Sequence, residues 1–267
     1  MGRKTALVTG ASRGIGKAIA IALGQNGYDV GVNYFHDEQG AKSTCRAIEA
    51  TGGKAVALGA DVSDYTQLCG LFADFFQIFP SLDLMVNNAG VSEFHPFLEV
   101  TEQQWERVTN TDWKATFFGT QFAARNMAAH KKSGVIINIA SNHVDGCFPE
   151  ANIYAPSKAA VDKFTKNAAM ELAPYGIRVV ALAPGYTNVW APDNPIQQVR
   201  NRIPLKRFAS PEEIADILVF LASEKCSYLT GTRITVDGGA LLPVVPENDL
   251  NGGALLPPQA FAVEETK

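Results

Sequence analysis

The sequence predicts an α/β fold, a single Rossmann-type doubly wound parallel sheet with helices on both faces. Between residues 5 and 236, short apolar runs alternate with segments in which apolar residues recur at helical spacing. This alternation indicates parallel strands joined by helical crossovers, and right-handed crossovers place helices on both faces of the sheet. A glycine-rich turn directly after the first apolar run is the third observation, because it is typical of a dinucleotide-binding βα unit.

Seven strands are predicted, each as a short apolar run followed by a turn or a loop. They cover residues 5–9, 29–33, 55–58, 82–86, 135–139, 177–182 and 233–236. The apolar spacing predicts helices over 15–23, 38–50, 64–79, 102–130, 154–172 and 211–222, with a short helix at 195–202 inside a proline- and asparagine-rich loop. The helix at 211–222 has clear start signals, because Ser210 precedes it, proline is its first residue and acids follow.

Residues 1–240 are expected to form one catalytic domain, because no second-domain boundary is visible in the composition. Residues 241–267 are expected to form a C-terminal extension. The hexapeptide GGALLP occurs at 238–243 and again at 252–257, but two copies are too few for a repeat architecture. We interpret the extension as a poorly ordered or subunit-wrapping segment.

Composition and charge exclude several classes of protein. Of the 267 residues, 46% are hydrophobic and 19% are charged, an ordinary globular balance. A net charge of -4 gives no reason to expect a nucleic-acid partner, and no apolar stretch is long enough for a membrane span. The N-terminus runs into a strand without a secretion signal, and the cysteines form no CxxC pair. We therefore expect reduced thiols, no metal site and a cytoplasmic protein.

Gly10, Gly14 and Gly16 lie between the first strand and the first helix. Glycines let the backbone turn sharply, and they let a phosphate approach without a Cβ in the way. The following helix N-terminus offers free N–H groups and the positive end of the helix dipole. A pyrophosphate suits this turn, so a dinucleotide cofactor is predicted.

Arg13 and the end of the second strand indicate which dinucleotide binds. NAD sites usually end this strand with an acid that binds the ribose 2′-hydroxyl. Here the strand ends at Asn33 and Tyr34, and Asp37 is expected in a solvated turn. A cation near the glycines with no acid opposite it suits a 2′-phosphate, which favours NADP over NAD. The alternative for Arg13 is a solvated loop side chain.

Tyr154 and Lys158 are four residues apart at the start of a predicted helix and therefore share a face. A phenol is a poor base at neutral pH, because its unperturbed pKa is about 10, but a neighbouring ammonium favours the phenolate. Tyr154 is therefore a predicted general acid or base. Ser141 follows the fifth strand, at the edge where ligands of open α/β sheets bind, and is predicted to hold a substrate oxygen.

Several motifs, taken together in this order, resemble the short-chain dehydrogenase/reductase family. They are TGASRGIG at 9–16, NNAG at 87–90, Ser141, YAPSK at 154–158 and PG at 184–185. The resemblance covers nearly the whole chain apart from the C-terminal extension. It implies a single Rossmann-type domain that transfers hydride between a nicotinamide cofactor and an alcohol or carbonyl carbon, commonly as a tetramer or dimer.

The resemblance also implies roles for individual residues. Tyr154 is the expected acid/base, and Ser141 is expected to orient the substrate oxygen. Lys158 is expected to stabilise the phenolate and to bind the nicotinamide ribose. The other residues expected at the cofactor site are Gly10, Ser12, Arg13, Gly14, Ile15, Gly16, Asn33, Tyr34, Asp61, Val62, Asn87, Ala89, Gly90, Pro184 and Gly185.

One departure from the family pattern concerns the catalytic residues. Where the family usually has an asparagine in the long helix, this chain has Asp112, and helical spacing places it on the sheet-facing side with Trp105 and Val108. A carboxylate there would stabilise Lys158 as a cation. Asp112 is therefore included among the catalytic residues and is predicted to alter the pH profile. The alternative is a tolerated exchange without kinetic meaning.

A second departure follows the PG motif. Where the family commonly has a threonine near the nicotinamide amide, this chain has Val189. Thr187, two residues earlier, is expected to take over this role. Its alternative role is hydrogen bonding within the local turn.

Polar side chains near the predicted catalytic residues favour a sugar or polyol substrate. They are Asn142, His143, Glu150 and Asn152 before Tyr154, and Glu93 after the NNAG motif. The Ser-x-His spacing, with the stretches IPLKRFASPEEIA and SYLTG, is similar to that of bacterial glucose dehydrogenases in this family. Each of these polar residues has the alternative role of a loop cap or a solvated side chain.

Two other functions fit the same motifs. A 3-oxoacyl thioester reductase shares all of them, but a carrier-protein substrate would need cationic residues at the cleft mouth, for which Lys206 and Arg207 are candidates. A catalytically silent NADP-binding sensor is the third hypothesis. The complete set of Ser141, Tyr154 and Lys158 argues against a sensor.

The long predicted helix is apolar around much of its circumference. Besides its sheet-facing side it carries Trp113, Phe117, Phe118 and Phe122. Such a helix needs partners on both sides. We therefore expect a homo-oligomer, a symmetric dimer or tetramer, and the alternative is a deeply packed core helix.

Overall fold

Seven parallel strands form one sheet in the computed structural model, which describes residues 2–242. The strands are β1 (Lys4–Val8), β2 (Tyr28–Tyr34), β3 (Ala55–Gly59), β4 (Leu84–Asn87), β5 (Val135–Ile139), β6 (Arg178–Pro184) and β7 (Arg233–Val236). Their order across the sheet is β3-β2-β1-β4-β5-β6-β7, and every neighbouring pair is parallel. The predicted fold class is confirmed. The strand order reverses between β1 and β4, and open α/β sheets bind ligands at such a switch point.

Helices cover both faces of this sheet. They are α1 (Gly14–Gln25), α2 (Glu38–Glu49), α3 (Tyr65–Ile78), α4 (Glu102–Thr109), α5 (Ala115–Ala129), α6 (Tyr154–Leu172) and α7 (Pro211–Ala222). The predicted start signal of α7 forms a capping box, in which Ser210 and Glu213 bond to each other's backbone. This local signal explains why α7 begins at the predicted residue.

The helix predicted over 102–130 is interrupted. A π-helical turn, Asn110–Lys114, separates α4 from α5. Because a π turn bonds residue i to residue i+5, it shifts the helical face by about one residue. Trp105, predicted to face the sheet with Asp112, is instead 52% exposed, whereas Val108 and Asp112 are fully buried. The prediction for Trp105 was therefore wrong, whereas Val108, three residues later in the same helix α4, is buried as predicted.

Two apolar layers pack on the sheet, one on each face. Leu23 of α1 and Leu218 of α7 belong to one layer, and Phe75 of α3 belongs to the other. Successive strand residues point to opposite faces, so the neighbours Val179 and Val180 of β6 enter different layers. With both faces covered, the edge at the carboxyl ends of the strands is left for the functional site.

The described part of the chain also bears on three other expectations. The C-terminal extension predicted at 241–267 lies outside the described residues, apart from its first two. Within residues 2–242, no helix combines the length and apolar composition that a membrane crossing requires. The cysteines of this range carry free thiols, and in the same range no group of three His, Cys, Asp or Glu side chains could hold a metal ion.

Candidate active site

The turn after β1 has a backbone that glycine adopts most readily. Gly10 and Gly14 have φ angles of 63° and 56°, in the left-handed region. A Cβ on Gly16 would collide with the carbonyl oxygen of Gly10 and the side chain of Asn88. Since α1 begins at Gly14, its first N–H groups are free of helical partners. The turn can therefore receive a phosphate.

Asn33, near the end of β2, holds three strand ends together. Its Oδ1 accepts from the backbone N–H of Gly10 at 3.1 Å, and its Nδ2 donates to the carbonyl oxygens of Leu58 and Ala60, each at 3.1 Å. The side chain is buried. Because its polar atoms are engaged within the protein, Asn33 supports the wall of the site and offers no free amide to a ligand.

Thr9 and Asn88 form a brace that the sequence did not predict. Asn88 Nδ2 donates to the carbonyl oxygens of Thr9 at 2.8 Å and Gly10 at 3.1 Å. Thr9 Oγ1 accepts from the backbone N–H groups of Asn88 and Ala89 at 2.9 and 3.0 Å. The brace joins the turns after β1 and β4, which are neighbours at the switch point. Its signal in the sequence is a polar residue within two positions of the end of each of the two apolar runs.

A cleft of about 780 Å³ lies along these turns. The predicted cofactor residues that line it are Gly10, Ser12, Arg13, Gly14, Ile15, Gly16, Asn33, Tyr34, Asp61, Val62, Ala89 and Gly90. An adjoining cleft of about 470 Å³ is lined by five more of them, namely Tyr154, Lys158, Pro184, Gly185 and Thr187. The two clefts form one groove because they share wall residues, which are Ile15, Asn88, Gly90 and Val189.

Asn87 lines neither cleft, unlike the other residues predicted at the cofactor site. Its Nδ2 donates to Asn138 Oδ1 at 2.8 Å and to Thr120 Oγ1 at 3.1 Å. Asn138 Nδ2 in turn donates to Thr165 Oγ1 at 3.0 Å, and all four side chains are buried. Asn87 was expected to support both the cofactor and the central sheet, and its amide holds β4 to β5 inside the core. Its role at the cofactor stays a prediction.

Charged side chains stand at the β2 end of the groove. Arg13 and His36 are exposed and line the larger cleft. Asp37 is exposed too, as expected for a turn, and its Oδ1 caps α2 by accepting from the backbone N–H of Gly40 at 2.8 Å. One oxygen of the Asp37 carboxylate is thus committed to a helix N-terminus, and Arg13 remains available to an anion.

Tyr154, Lys158 and Asp112 line the smaller cleft together. Lys158 Nζ lies 3.0 Å from Asp112 Oδ2 and donates to the carbonyl oxygen of Ile139 at 3.1 Å. The same nitrogen lies 5.6 Å from the centre of the Tyr154 ring. Asp112 Oδ1 accepts from the backbone N–H of Val91 at 2.8 Å. The ammonium therefore lies between the phenol ring and a buried carboxylate.

Burial and the ion pair act in opposite directions on Lys158 and Asp112. Burial by itself lowers the pKa of the Lys158 ammonium, but the charge of Asp112 outweighs it, so this pKa lies above its ordinary value. Burial raises the pKa of the Asp112 carboxyl, and the charge of Lys158 opposes that rise. Lys158 is therefore a cation at neutral pH despite being only 4% exposed.

Ser141 caps a short 3-10 helix, Asn142–Val144, directly after β5. Its Oγ lies 3.1 Å from His143 Nδ1 and accepts from the backbone N–H of His143 at 3.2 Å. The His143 ring stacks on Phe148, with ring centres 3.9 Å apart, and meets Tyr154 edge-on at 5.1 Å. Burial, assisted by the charge of Lys158, lowers the pKa of His143 to about 4, so the ring is neutral at neutral pH.

Aromatic and aliphatic side chains form much of the smaller cleft. The sequence did not predict these wall residues, which are Phe94, Phe148, Tyr186, Trp190 and Ile196. They come from three separate loops, so no local spacing in the sequence signals them. The cleft can therefore shelter an apolar group beside Ser141 and Tyr154.

The residues predicted to bind substrate fall into two groups. Asn142, His143 and Glu150 line the cleft. Glu93 and Asn152 are not among its lining residues, and their role at the substrate stays a prediction. Glu93 Oε1 is paired with Arg107 Nε at 2.8 Å. Asn152 is an exposed loop residue, which fits its alternative role as a solvated side chain.

Thr187 combines a place in the cleft wall with a local hydrogen bond. Its Oγ1 donates to the carbonyl oxygen of Gly185 at 3.2 Å, and the side chain is buried. Val189, where the family commonly has threonine, is 48% exposed and lines both clefts. The hydroxyl of Thr187 is thus engaged in the turn, while its backbone borders the groove.

The two basic residues considered for a carrier-protein contact are engaged elsewhere. Arg207 makes two bonds of 2.7 Å to the carboxylate of Glu213. Lys206 Nζ donates to the carbonyl oxygen of Asn201 at 2.9 Å. Neither residue lines the clefts.

Known proteins match this chain over nearly all of the residues that form the groove. A protein-family model described as enoyl-(acyl carrier protein) reductase matches residues 10–240. A 3-oxoacyl-(acyl-carrier-protein) reductase of Staphylococcus aureus is 40% identical over 243 residues, which cover 88% of this chain and 97% of the relative. A 3beta-hydroxysteroid dehydrogenase 1 of Eggerthella lenta is 39% identical over 245 residues, with coverages of 90% and 94%. The glucose 1-dehydrogenase 2 of Bacillus subtilis is 39% identical over 246 residues, with coverages of 90% and 95%.

Solved structures agree with these matches. An acetoin dehydrogenase from Enterobacter cloacae superimposes with a TM-score of 0.85 at 36% identity, covering 91% of this chain and 97% of its own. An angucycline C-6 ketoreductase with bound NADP superimposes with a TM-score of 0.84 at 33% identity, with coverages of 90% and 96%. The similar proteins are named for different substrates, so substrate identity has to be argued from the cleft of this chain.

Proposed function

Because the chain belongs to the short-chain dehydrogenase/reductase family, as its motifs predicted, we propose that it interconverts a ketone and a secondary alcohol with NADP as cofactor. The proposed substrate carries an apolar or aromatic group beside the reacting carbon. One observation carries the proposal: Tyr154 and the Lys158–Asp112 pair lie where a dinucleotide-sized cleft meets a cleft with aromatic walls.

Three side chains have roles at the substrate oxygen. In the reduction, the Tyr154 hydroxyl donates a proton to this oxygen, and in the oxidation the phenolate takes it back. Lys158, held as a cation by Asp112, stabilises the phenolate. The Ser141 hydroxyl donates a hydrogen bond to the same oxygen and stabilises the negative charge that develops on it.

The groove fits a nicotinamide dinucleotide. The left-handed backbone at Gly10 and Gly14 and the crowding at Gly16 leave bare backbone for a pyrophosphate. Pro184 and Gly185 would border the nicotinamide end, next to Tyr154 in the smaller cleft. When bound, the nicotinamide supplies or accepts the hydride.

NADP is proposed over NAD because of the charge at the β2 end of the groove. Arg13 is exposed there, and the strand tip carries Asn33 and Tyr34 instead of an acid. The Asp37 carboxylate caps α2. A 2′-phosphate therefore has a cation to pair with and a neutral strand tip. One similar structure is a ketoreductase with bound NADP.

The apolar substituent is proposed from the wall residues. Phe94, Phe148 and Ile196 have no polar atom in their side chains, so a hydroxyl group against them would lose its hydrogen bonds to water. An apolar group in the same place gains roughly 25 cal/mol for each Å² removed from water. These walls support an apolar ketone more than a fully hydroxylated chain.

A sugar or polyol is the second candidate, because Asn142 and Glu150 also line the cleft. A 3-oxoacyl thioester bound to a carrier protein is less well supported. Arg207 is paired with Glu213, and Lys206 is bonded to a carbonyl oxygen, so neither offers a free cation to an acidic carrier.

A homo-oligomer, a dimer or a tetramer, is proposed from the outer face of α5. Trp113 and Phe117 pack with Phe164 of α6, with ring centres 5.1 and 5.0 Å from it, yet all three stay half-buried in the single chain. An aromatic surface of this kind is typical of subunit interfaces. Light scattering of the purified protein tests this, and a monomer at micromolar concentration would argue against it.

The catalytic proposal is tested with the purified protein and the absorbance of reduced nicotinamide. NADPH and NADH are each supplied with aryl ketones, aldoses and a model 3-oxoacyl thioester, and NADP with polyols. We expect NADPH-dependent reduction of the aryl ketones, and loss of turnover but not of NADPH binding in Tyr154→Phe. Turnover of sugars alone would favour the second candidate. Tight NADPH binding without turnover across the panel would favour a sensor.

A further inference from the structure

We propose that Asn142 and His143 are positioning residues that preset the Ser141 hydroxyl, so that its hydrogen is offered to the substrate oxygen. The inference rests on the proposed function, because it concerns how Ser141 meets a ketone oxygen. It is carried by the hydrogen bonds among these three consecutive residues.

A serine hydroxyl has one hydrogen to donate and two lone pairs that accept. The backbone N–H of His143 fills one lone pair of Ser141 Oγ at 3.2 Å. His143 Nδ1 lies 3.1 Å from the same oxygen. If Nδ1 carries a hydrogen, that hydrogen lies between Ser141 Oγ and Asn142 Oδ1 and occupies the second lone pair of the serine. Ser141 is then left with its own hydrogen, which makes a long bond of 3.5 Å to Asn142 Oδ1 until a substrate oxygen replaces that acceptor.

Asn142 decides whether Nδ1 carries that hydrogen. Its Oδ1 lies 3.3 Å from His143 Nδ1. A carbonyl oxygen only accepts, so Nδ1 has to be the donor in this contact. The neutral ring then has its hydrogen on Nδ1 and leaves Nε2 as an acceptor.

Packing limits how far this network can rearrange. Asn142 is 3% exposed, and a Cβ on Gly185 would lie 3.3 Å from its Nδ2. The His143 ring is held by stacking on Phe148 and by the edge contact with Tyr154. The serine hydroxyl is therefore oriented before substrate arrives.

A hydroxyl that is set to donate its hydrogen suits a substrate oxygen that accepts a hydrogen bond. A ketone oxygen or an alkoxide accepts its hydrogen, and the bond strengthens as negative charge develops in the transition state. The hydrogen gives up only the long bond to Asn142 Oδ1 when it turns to the substrate oxygen. We therefore expect loss of the network to lower kcat and to leave the KM for the cofactor unchanged.

Three substitutions of His143 separate the two ring nitrogens. An asparagine side chain places its amide near the Nδ1 position, and a glutamine side chain places its amide near the Nε2 position. His143→Phe keeps an aromatic ring for stacking and removes both nitrogens. We expect His143→Gln and His143→Phe to lower kcat about tenfold, the effect of roughly one lost hydrogen bond, with an unchanged KM for NADPH. His143→Asn should keep kcat within about twofold of the wild type.

His130→Phe is the matched control, because His130 is exposed at the end of α5 and lines neither cleft. Its kcat should equal that of the wild type. Melting temperatures are measured for all variants, so that a loss of folded protein is not read as a loss of kcat. Equal kcat values for the Asn, Gln and Phe variants would overturn the proposal.

The tautomer of His143 gives a readout that does not depend on activity. The chain has four histidines, so nitrogen-15 NMR of the ring nitrogens is assigned by comparison with His143→Asn. We expect a neutral ring with its hydrogen on Nδ1 around neutral pH. A hydrogen on Nε2 would overturn the proposal, because it would mean that the Asn142 amide is turned the other way. A wild type that is inert towards every ketone would refute the proposed function, while the tautomer would still test the network.

Discussion

Asp112 Oδ2 lies 3.0 Å from Lys158 Nζ, and both side chains are buried. The family usually has an asparagine at this position of the long helix, which would offer an oxygen without a charge. The carboxylate of this chain adds a full negative charge next to the ammonium. Lys158 therefore keeps its proton in a place where burial alone would favour the neutral amine.

Replacing Asp112 with asparagine should move the alkaline limb of the activity profile. The pKa of Lys158 is raised by Asp112, so the ammonium persists to high pH and activity is lost only as pH passes this raised pKa. In Asp112→Asn the pKa of Lys158 falls, and the limb should move to lower pH by about one unit or more. Activity at neutral pH should be retained. The measurement is kcat against pH.

Asp162→Asn is the control for this change. Asp162 is also a buried carboxylate paired with a lysine, Lys166, at 2.8 Å, and it lies on the same helix as Lys158. It lines neither cleft. Its variant should keep the wild-type pH profile. If Asp112→Asn keeps it as well, the charge of Asp112 has no kinetic role.

Replacing Lys158 with methionine should destabilise the fold in a pH-dependent way. The Asp112 carboxylate would then be buried without its cation, which costs about 3–5 kcal/mol at neutral pH. Since burial raises the pKa of Asp112 in the folded state, folding favours its protonated form. The loss should therefore be full at neutral pH and shrink as pH falls through this raised pKa. Urea denaturation at neutral and mildly acidic pH measures it, and an equal loss at both would contradict the assignment.

Replacing Gly90 with alanine should disturb the ion pair directly. A Cβ there would lie 3.1 Å from Asp112 Oδ2 and 3.2 Å from Lys158 Nζ, so one of the two charged groups has to shift. We expect a fall in kcat of about tenfold, the equivalent of roughly 1.4 kcal/mol. Steady-state kinetics with a ketone substrate measures this fall.

Gly70→Ala provides the comparison for Gly90. Gly70 lies in α3, and a Cβ there would meet nothing within 4 Å. This variant should keep wild-type kcat and gain roughly 0.5–1 kcal/mol of stability, because alanine is the better helix former. A loss of kcat in both variants would show that any added Cβ is harmful, and would remove the argument from the ion pair.

Replacing Arg13 with alanine should weaken NADPH binding and leave NADH binding unchanged. Losing a charge-assisted hydrogen bond to the 2′-phosphate costs roughly 1.5–3 kcal/mol, or about a tenfold to hundredfold rise in the Kd of NADPH. Fluorescence titration with both cofactors measures the change. Arg46→Ala on the exposed side of α2 is the control, since Arg46 does not line the groove. Equal effects on NADPH and NADH would contradict the proposed preference.

Local periodicity explains which parts of the molecule were predictable. Tyr154 and Lys158 share a face of α6 because helical geometry depends only on residues three or four apart. Ser141 and the glycine turn were found for a similar reason, since each directly follows an apolar run that became a strand. Their meeting at one sheet edge followed from parallel strand order, which the alternation of strands and helices implies.

The same periodicity failed where the chain departs from regular helix. Trp105 was assigned to the same face as Asp112 by counting along one ideal α-helix, but a π turn, Asn110–Lys114, begins between these two residues. Asn87 was expected, from the family resemblance, to support the cofactor and the central sheet. Its amide is bonded to Asn138 and Thr120, two partners that lie far away in the sequence and that no local spacing indicated.

The sequence by itself determined the sheet, the phosphate-binding turn and the catalytic pair, because each depends on the order of neighbouring residues. Only the tertiary structure decided the burial of the Lys158–Asp112 pair, the brace between Thr9 and Asn88, and the aromatic walls of the smaller cleft. These features join residues that are tens of positions apart. Their contacts depend on how loops from different strands converge at one edge of the sheet, and no local spacing encodes that convergence.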